Sequence, residues 1–338
     1  MTDWSHAKIC VEKHIQEELK IDHLCKNCNS KDHAEVLRSA YYKQKIWPLN
    51  NKHGSPRVLT ISFLDKGDNV EWTPLHMLEG YDKNGNAILP DPLNKELFKQ
   101  VSPQELVKTV VKKRIEPIIG LKFKFIDSHG IIRISFDSRK GSWSLIGSDC
   151  AKEKNPKPTM NLGWLDVGTI THEFLHILGA IHEHQNPRGI DIEWNKQNLF
   201  EWGKETQGWD KEVVRQNIID RYSINQINGS KYDPYSIMLY FYPNDLTKDG
   251  KGTRQNVRLS PTDVIWMSKM YPGGEKSPTE FYENAYGNSI EDTLLMQQNI
   301  HGKGMNAFAL SGIIIGSVVA IFTLISIVLY IYRKRRRH

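Results

Sequence analysis

Four histidines and two glutamates stand close together in the middle of the chain, in the string HEFLHILGAIHEH. His172 and His176 are four residues apart, so a helix would present both imidazoles on one face, where they can share a metal ion. Gly179 permits a positive φ, so the chain can turn sharply there and return His182 to the same ion. Catalytic zinc is typically bound by three protein ligands, which can be three neutral imidazoles, and its fourth position stays open for water or substrate. Glu173, between the two helical ligands, is positioned to deprotonate a water molecule that the metal activates.

The first five residues of this pattern can arise by chance. A histidine pair on a helix is more often solvated or packed in a core than bound to a metal. The longer pattern H-E-x-x-H-x-x-G-x-x-H fixes a glycine and a third histidine as well, and it favours a zinc site. Thr169 or Thr171 is expected to start the helix and Gly179 to end it. The sequence therefore predicts one zinc ion per catalytic domain and no other cofactor-binding residues.

The segments around this pattern predict an α+β domain. Residues 58–64, 121–126 and 131–136 are rich in β-branched and aromatic residues and alternate as strands do. The sequence SPQE, which begins at Ser102, is typical of a helix N-terminus, with a capping serine followed by proline. A strand, a helix and two further strands indicate a mixed sheet with a helix packed on it.

The zinc pattern and a later turn resemble the metzincin metallopeptidases, and among them the astacin family. HEFLHILGAIHEHQNP is similar to the zinc signature of that family, in a style closest to its microbial and viral members. The sequence DPYSIMLY resembles the family's methionine-containing turn below the metal, with Met238 as its methionine and Tyr240 as its tyrosine. Residues 141–147 resemble the strand segment upstream of the active helix. Residues 259–263 with 271–272 resemble the last helix, so the resemblance covers residues 54–272.

The resemblance implies a fold and a reaction. The fold is a metzincin-like catalytic domain, with a twisted mixed sheet, an active-site helix and the methionine turn. The reaction is the hydrolysis of peptide bonds by a zinc endopeptidase without a covalent acyl-enzyme. Glu173 would take the proton of the water and return it to the leaving amine. Tyr240 would move off the metal and donate a hydrogen bond to the tetrahedral oxyanion.

The C-terminal region predicts a membrane helix. Residues 307–332 are apolar and uncharged, and about 20 such residues cross a bilayer. We therefore expect a single-pass protein of a host or virion membrane. The basic tail, residues 333–338, favours a cytosolic C-terminus, whereas sparse cysteines and the charged N-terminus favour a catalytic domain in the cytosol or the virion interior. Gly312 and Gly316 have the G-x-x-x-G spacing that favours a homodimer.

The sequence predicts five segments, of which the first is the least defined. Its three cysteines and one of its histidines could form a small metal site; the alternatives are a helical leader with free cysteines and a latency segment that covers the cleft. Helices are expected over 11–21 and 33–45. The candidate ligands are Cys10, His14, Cys25 and Cys28. The segments are an N-terminal leader (1–53), the zinc peptidase domain (54–272), a juxtamembrane linker with one short helix (273–306), the membrane helix (307–332) and the basic tail (333–338).

The charge of the 338-residue chain limits its partners. The net charge is +6, but five basic residues lie in the tail 333–338, so the rest of the chain is nearly neutral and nucleic acid is not an expected partner. The expected partners are a protein or peptide substrate and, through 307–332, a membrane. The alternative function is a catalytically inactive membrane assembly module that retains zinc. Glu173 argues against that alternative, because a structural zinc site needs no general base.

Overall fold

A computed structural model describes residues 11–13, 40–50, 57–189, 192–229 and 232–303 of the chain. These residues form two compact units: the first ends at Asn288 and the second begins at Ser289. The second unit contains one described helix, and all other elements belong to the first. The strands are β1 (Val11–Lys13), β2 (Ala40–Tyr42), β3 (Val58–Phe63), β4 (Glu71–Trp72), β5 (Gly80–Tyr81), β6 (Ala87–Ile88), β7 (Lys122–Phe125), β8 (Ile132–Ser135), β9 (Trp143–Leu145), β10 (Met160–Asn161), β11 (Trp164–Leu165) and β12 (Ile227–Gly229). The helices are α1 (Pro92–Leu97), α2 (Pro103–Val110), α3 (Val167–Ile177), α4 (Lys196–Gln207), α5 (Lys211–Val214), α6 (Pro261–Met270), α7 (Pro278–Tyr286) and α8 (Ile290–Lys303).

The main sheet is mixed, as predicted. Its strand order is β1-β9-β10-β8-β3-β7, and every neighbouring pair is parallel except the antiparallel pair of β10 and β9. The three strands expected from alternation are β3, β7 and β8, which lie side by side at one end of this order. Leu59, Ile61, Ile132 and Ile134 are fully buried, which accounts for the apolar alternation that identified these strands.

Helix α2 begins where the sequence predicts. Ser102 is its N-cap, and the serine side chain accepts a hydrogen bond from the amide of Glu105, with proline in the first turn. Leu106, Val107 and Val110 form the buried face of the helix. The helix continues as a wider π-helical turn over 111–115 and a 3₁₀ turn over 116–118, which leads to β7. The α+β fold class is therefore confirmed.

The helices expected near the N-terminus are not found in the described residues. Residues 11–13 form β1, which pairs with β9, and residues 40–42 form β2, which pairs with β12. A 3₁₀ turn follows at 43–45. The helical expectation was wrong there because strands far along the sequence pair with these residues and satisfy their backbone hydrogen bonds. A local sequence pattern does not reveal such distant partners. The cysteines and His14 of the predicted leader lie outside the described residues.

The predicted localisation requires a correction. No helix among the described residues is long and apolar enough to cross a membrane, and this finding contradicts the assignment as a single-pass membrane protein. The segment 307–332, its basic tail and the glycine pair proposed for dimerisation lie outside the described residues. The segment 273–306, interpreted as a linker with one short helix, contains two helices, α7 and α8.

Candidate active site

Helix α3 carries two of the predicted metal ligands, and its start is set by an aspartate. Asp166 is the N-cap, and its carboxylate accepts a hydrogen bond from the amide of Thr169 at 2.7 Å. The hydroxyl of Thr73, from a distant part of the chain, donates to the same carboxylate at 2.8 Å. The prediction of Thr169 or Thr171 as the start was therefore wrong. The aspartate accepts from the Thr169 amide in the first turn and is held by a second element through Thr73.

The end of α3 follows the prediction. Gly179 has a φ of +93°, which a residue with a Cβ rarely adopts, and the helix ends two residues before it. Two side chains satisfy carbonyls that the helix end leaves without an amide partner: the indole N–H of Trp47 donates to Ile177 and the hydroxyl of Tyr271 donates to Leu178, both at 2.7 Å. The end of α3 is therefore fixed by one residue that precedes the helix in the sequence, Trp47, and one that follows it, Tyr271.

Strand β2 guides the chain from the helix to the third histidine. The amide of Tyr42 donates to the carbonyl of Gly179 at 2.8 Å, and the amide of Ile181 donates to the carbonyl of Ala40 at 3.1 Å. This ladder fixes the loop that precedes His182. A segment that the sequence assigned to an N-terminal leader thus positions a predicted metal ligand.

The three histidines converge on one point. His172, His176 and His182 are buried, and one ligand atom from each lies within 4.8 Å of the others. The Nε2 atom of His182 lies 3.3 Å from Nε2 of His172 and 3.0 Å from Nε2 of His176. In a tetrahedral zinc site with Zn–N distances near 2.0–2.1 Å, two ligand nitrogens are about 3.3 Å apart. The spacing fits a zinc ion held by all three rings.

The protonation of two rings supports the same conclusion. Nδ1 of His172 lies 2.8 Å from the carbonyl oxygen of Ile237, and Nδ1 of His176 lies 2.8 Å from that of Ala180. Because a carbonyl can only accept, Nδ1 is the donor of each ring, and in the neutral form of the ring this leaves the lone pair on Nε2, which faces His182. His182 could donate to one of these lone pairs at most, whereas a cation satisfies all three.

The predicted methionine turn lies directly against these ligands. It supplies the Ile237 carbonyl to His172, and the carbonyl of Met238 accepts from the amide of Glu183 at 2.9 Å. The turn is held by α6, where Asp263 accepts from the Ser236 hydroxyl and the Ile237 amide. The side chain of Met238 is buried. The backbone of the turn therefore orients a metal ligand, while the methionine side chain fills the core below.

Glu183 fastens the third ligand to this turn. Its carboxylate accepts from the amide of Asp233 at 2.9 Å and from the side-chain amide of Asn186 at 3.0 Å. Burial raises the pKa of Glu183 well above that of an exposed glutamate, and the two hydrogen bonds oppose this increase. The residue thus links the segment after His182 to the turn through both its backbone and its side chain.

A cleft opens beside the three histidines. It has a volume of about 420 Å³, and its lining includes His172, Glu173 and Tyr240. Glu173 is fully buried on α3, between the two helical ligands. The ring of Tyr240 packs on His182 with 4.0 Å between the ring centroids, and on His184 with 5.1 Å. The structure therefore brings the residues predicted for the central zinc site to one region, with both catalytic candidates, Glu173 and Tyr240, lining one cleft.

Comparison with known proteins identifies this arrangement. The profile of the peptidase family described as "Astacin" matches residues 101–271, about half of the chain. The chain belongs to the astacin family. This astacin domain contains α3, all three histidines, the methionine turn and α6. The family assignment from the zinc signature is therefore confirmed, and zinc is the metal that the histidine triad fits.

Individual relatives agree with the family. Zinc metalloproteinase nas-13 of Caenorhabditis elegans is 31% identical over 203 residues, which are 56% of this chain and 41% of nas-13. Zinc metalloproteinase nas-4 of the same organism is 27% identical over 148 residues, 39% of this chain and 41% of nas-4. The chain thus spans about two fifths of the length of these relatives. A solved structure of myroilysin is 27% identical, with a TM-score of 0.53, and the match covers 69% of this chain and 98% of myroilysin.

Sequence reasoning missed several residues that build the site of this astacin domain. Asp166 starts the active helix, Trp47 holds its end, and residues 73–88 line one side of the cleft. The aspartate had a usable signal, since it precedes the helix and lies three residues before Thr169. No local pattern could identify the other two, because their partners are distant in the sequence.

Proposed function

We propose that the astacin domain is a zinc-dependent endopeptidase that hydrolyses peptide bonds in protein or peptide substrates. The observation that carries this proposal is the convergence of three Nε2 atoms, with two ring tautomers fixed by carbonyls, beside a cleft that Glu173 and Tyr240 line. A site that held zinc only for structure would need neither an adjacent buried carboxylate nor an open cleft.

The metal would be held by Nε2 of His172, His176 and His182. Zinc bound there would supply Lewis-acid polarisation of the scissile carbonyl and would lower the pKa of water toward neutrality. The chain's own contribution is to keep the three lone pairs directed at one point. The Ile237 and Ala180 carbonyls do this by holding the Nδ1 protons of two of the rings.

Glu173 would act as the general base. Its position between the two helical ligands brings the carboxylate to the cleft beside the histidines. A carboxylate oxygen would accept the proton of the attacking water as the oxygen bonds to the scissile carbonyl carbon. The same oxygen would then deliver the proton to the amine nitrogen as the C–N bond breaks, which leaves the carboxylate ready for another cycle.

Tyr240 would stabilise the oxyanion. Its ring packs against His182 and His184, and this packing restricts the orientation of the phenol. The hydroxyl would donate a hydrogen bond to the carbonyl oxygen as negative charge develops there. Such a donor acts chiefly in the transition state, so it raises the rate more than it strengthens substrate binding.

We expect Tyr240→Phe to lower kcat by about a hundredfold, with little change in zinc content, because only the hydroxyl is lost while the ring packing is kept. Steady-state kinetics on a fluorogenic peptide, together with metal analysis, would measure both quantities. Tyr242→Phe is the matched control: Tyr242 lies two residues further on, and its hydroxyl contacts His184 at 3.4 Å. An equal loss of kcat in both variants would contradict the role assigned to Tyr240.

Peptide cleavage that depends on zinc would test the function itself. The full chain, loaded with one zinc ion, is expected to cleave members of a broad peptide library, with the new termini identified by mass spectrometry. 1,10-Phenanthroline should abolish cleavage and added Zn²⁺ should restore it, whereas the non-chelating isomer 1,7-phenanthroline should have no effect. A zinc-loaded chain that cleaves no peptide would contradict the proposal and favour an inactive zinc-binding module.

A further inference from the structure

One side of the cleft is built by a segment that precedes the family match. We call residues 73–88 the wall segment; it lies outside the matched residues 101–271. The wall segment lines the same cleft as Glu173 and Tyr240. A substrate bound at the three histidines would therefore contact a surface for which the family match gives no information.

The wall segment is fastened to the active-site elements on both sides of the cleft. The side-chain amide of Asn84 donates to the carbonyls of Tyr242, at 2.9 Å, and Thr253, at 2.8 Å. At the other end, the hydroxyl of Thr73 donates to Asp166, the N-cap of α3. The wall is thus fixed relative to both the active helix and the chain that follows the methionine turn, as a selective surface must be.

The wall segment lines the cleft with both polar and apolar side chains, and its apolar ones are Met77, Leu78, Tyr81 and Ile88. Leu78 and Ile88 are buried in a small cluster with Val257, so they support the wall and expose little surface. Met77 is half-buried on the same wall, and Tyr81 is 69% exposed, so its ring is available to a ligand. A pocket of about 420 Å³ lies in the usual size range for ligand sites and is large enough for a bulky side chain.

Two acidic residues of the cleft other than Glu173, Asp82 and Asp166, are held by hydrogen bonds within the fold. Asp82 accepts from the backbone amides of Asn84, at 2.9 Å, and Gln255, at 3.1 Å. Asp166 accepts from the amide and the hydroxyl of Thr169. These hydrogen bonds hold both carboxylates in fixed positions against the fold. The wall segment itself offers apolar contact, through Met77 and Tyr81, as a basis for selection.

A lysine also lines the cleft, but it adds little selectivity. Lys83 is exposed, so its ammonium group remains hydrated and its attraction to an acidic ligand is screened by water; the exposed His76 of the same wall is hydrated in the same way. The hydrophobic contacts in the interior of the cleft are not screened in this way. The apolar wall therefore dominates the discrimination between ligand side chains.

We propose that the wall segment makes this cleft a subsite for one large apolar side chain of the substrate, such as Leu, Met or Phe, beside the scissile bond. This inference rests on the proposed endopeptidase function, which it deepens. Met77 and Tyr81 are the specificity-determining residues, because they are the partly exposed apolar side chains of the wall. They act on which peptide binds and not on the proton transfers.

Equilibrium binding to an inactive form tests the subsite without cleavage. The probes are fluorescein-labelled heptapeptides of alanine whose central residue is Leu, Phe, Gly, Glu or Lys, titrated with the zinc-loaded full chain carrying Glu173→Gln. The Leu and Phe peptides are expected to bind at least about tenfold more tightly than the Gly, Glu and Lys peptides, because one side chain's apolar contacts give discrimination of this size. Equal Kd values for the five peptides would overturn the proposal.

Variants of the wall locate the effect. Met77→Lys, added to the same background, should abolish the preference for Leu and strengthen binding of the Glu peptide. Leu89→Lys is the matched control, since Leu89 directly follows the wall segment, is 38% exposed and does not line the cleft. Tyr81→Ser provides a second test at an exposed position that the fold tolerates, and it should weaken the Phe peptide most. An unchanged preference in both Met77→Lys and Tyr81→Ser would overturn the assignment.

Cleavage of the same five peptides by the unsubstituted chain separates this inference from the proposed function. Cleavage at similar kcat/KM for all central residues would overturn the subsite and leave the endopeptidase function intact. A binding preference without cleavage of any peptide would overturn the endopeptidase function and retain an apolar binding site. Faster cleavage of the Leu and Phe peptides, lost in Met77→Lys, is the result expected if both hold.

Discussion

Replacement of Glu173 by Gln is expected to lower peptide cleavage by roughly several thousand-fold while zinc content stays unchanged. The change is nearly isosteric and leaves all three histidines in place. An amide cannot accept the proton of the attacking water and cannot return it to the leaving amine, so both proton transfers lose their carrier. Initial rates on a fluorogenic peptide and metal analysis of the same preparation measure the two quantities.

The matched control for this prediction is Glu201→Gln. Glu201 is an exposed residue of α4, where its carboxylate accepts a hydrogen bond from Gln197 on the same helix. The same chemical change there should leave the rate near that of the unsubstituted chain. Turnover by Glu173→Gln close to that of the control would show that another group moves the proton, and the proposed mechanism would be wrong.

Replacement of His176 by Ala is expected to remove one zinc ion per chain. Structural zinc sites are stabilised by about 10–16 kcal/mol through four ligands, so the loss of one ligand should weaken binding by roughly a hundredfold or more. Competition with a fluorescent chelator gives the affinity, and elemental analysis gives the stoichiometry. The comparison uses the difference between variant and unsubstituted chain, so any zinc bound outside the three histidines cancels.

His129→Asn controls for the loss of a histidine elsewhere. His129 is exposed and has a φ of +63°, a conformation that asparagine adopts more readily than most residues. This variant should retain its zinc. Full retention of zinc by His176→Ala, with a circular dichroism spectrum like that of the unsubstituted chain, would refute the ligand assignment.

Much of the site could be predicted because its information is local. The spacing of His172 and His176 encodes a shared face, since the pitch of a helix fixes where residues four apart point. Gly179 marks the turn for a similar reason: its φ of +93° lies in a region that most side chains exclude. The strands around 58–64, 121–126 and 131–136 and the Ser102 cap were equally visible, because each depends on a few adjacent residues.

Other features depended on partners that are distant along the chain. Asp166 starts the active helix in place of the expected threonines, and the residue that holds it, Thr73, is 93 positions away. The tautomer of His172 is fixed by the Ile237 carbonyl, 65 positions away. Neither distance follows from local spacing, because both contacts arise only when the sheet, α3 and the methionine turn pack together.

The sequence by itself determined the chemistry of this protein, through the ligand residues, the candidate base and the zinc that fits them. The tertiary structure alone decided how that chemistry is surrounded. Residues 40–42 form a strand that guides the third ligand, and residues 73–88 form a wall of the cleft. The physical reason is that ligand spacing is a property of one helix and one turn, whereas strand pairing and the cleft walls depend on which distant surfaces bury each other.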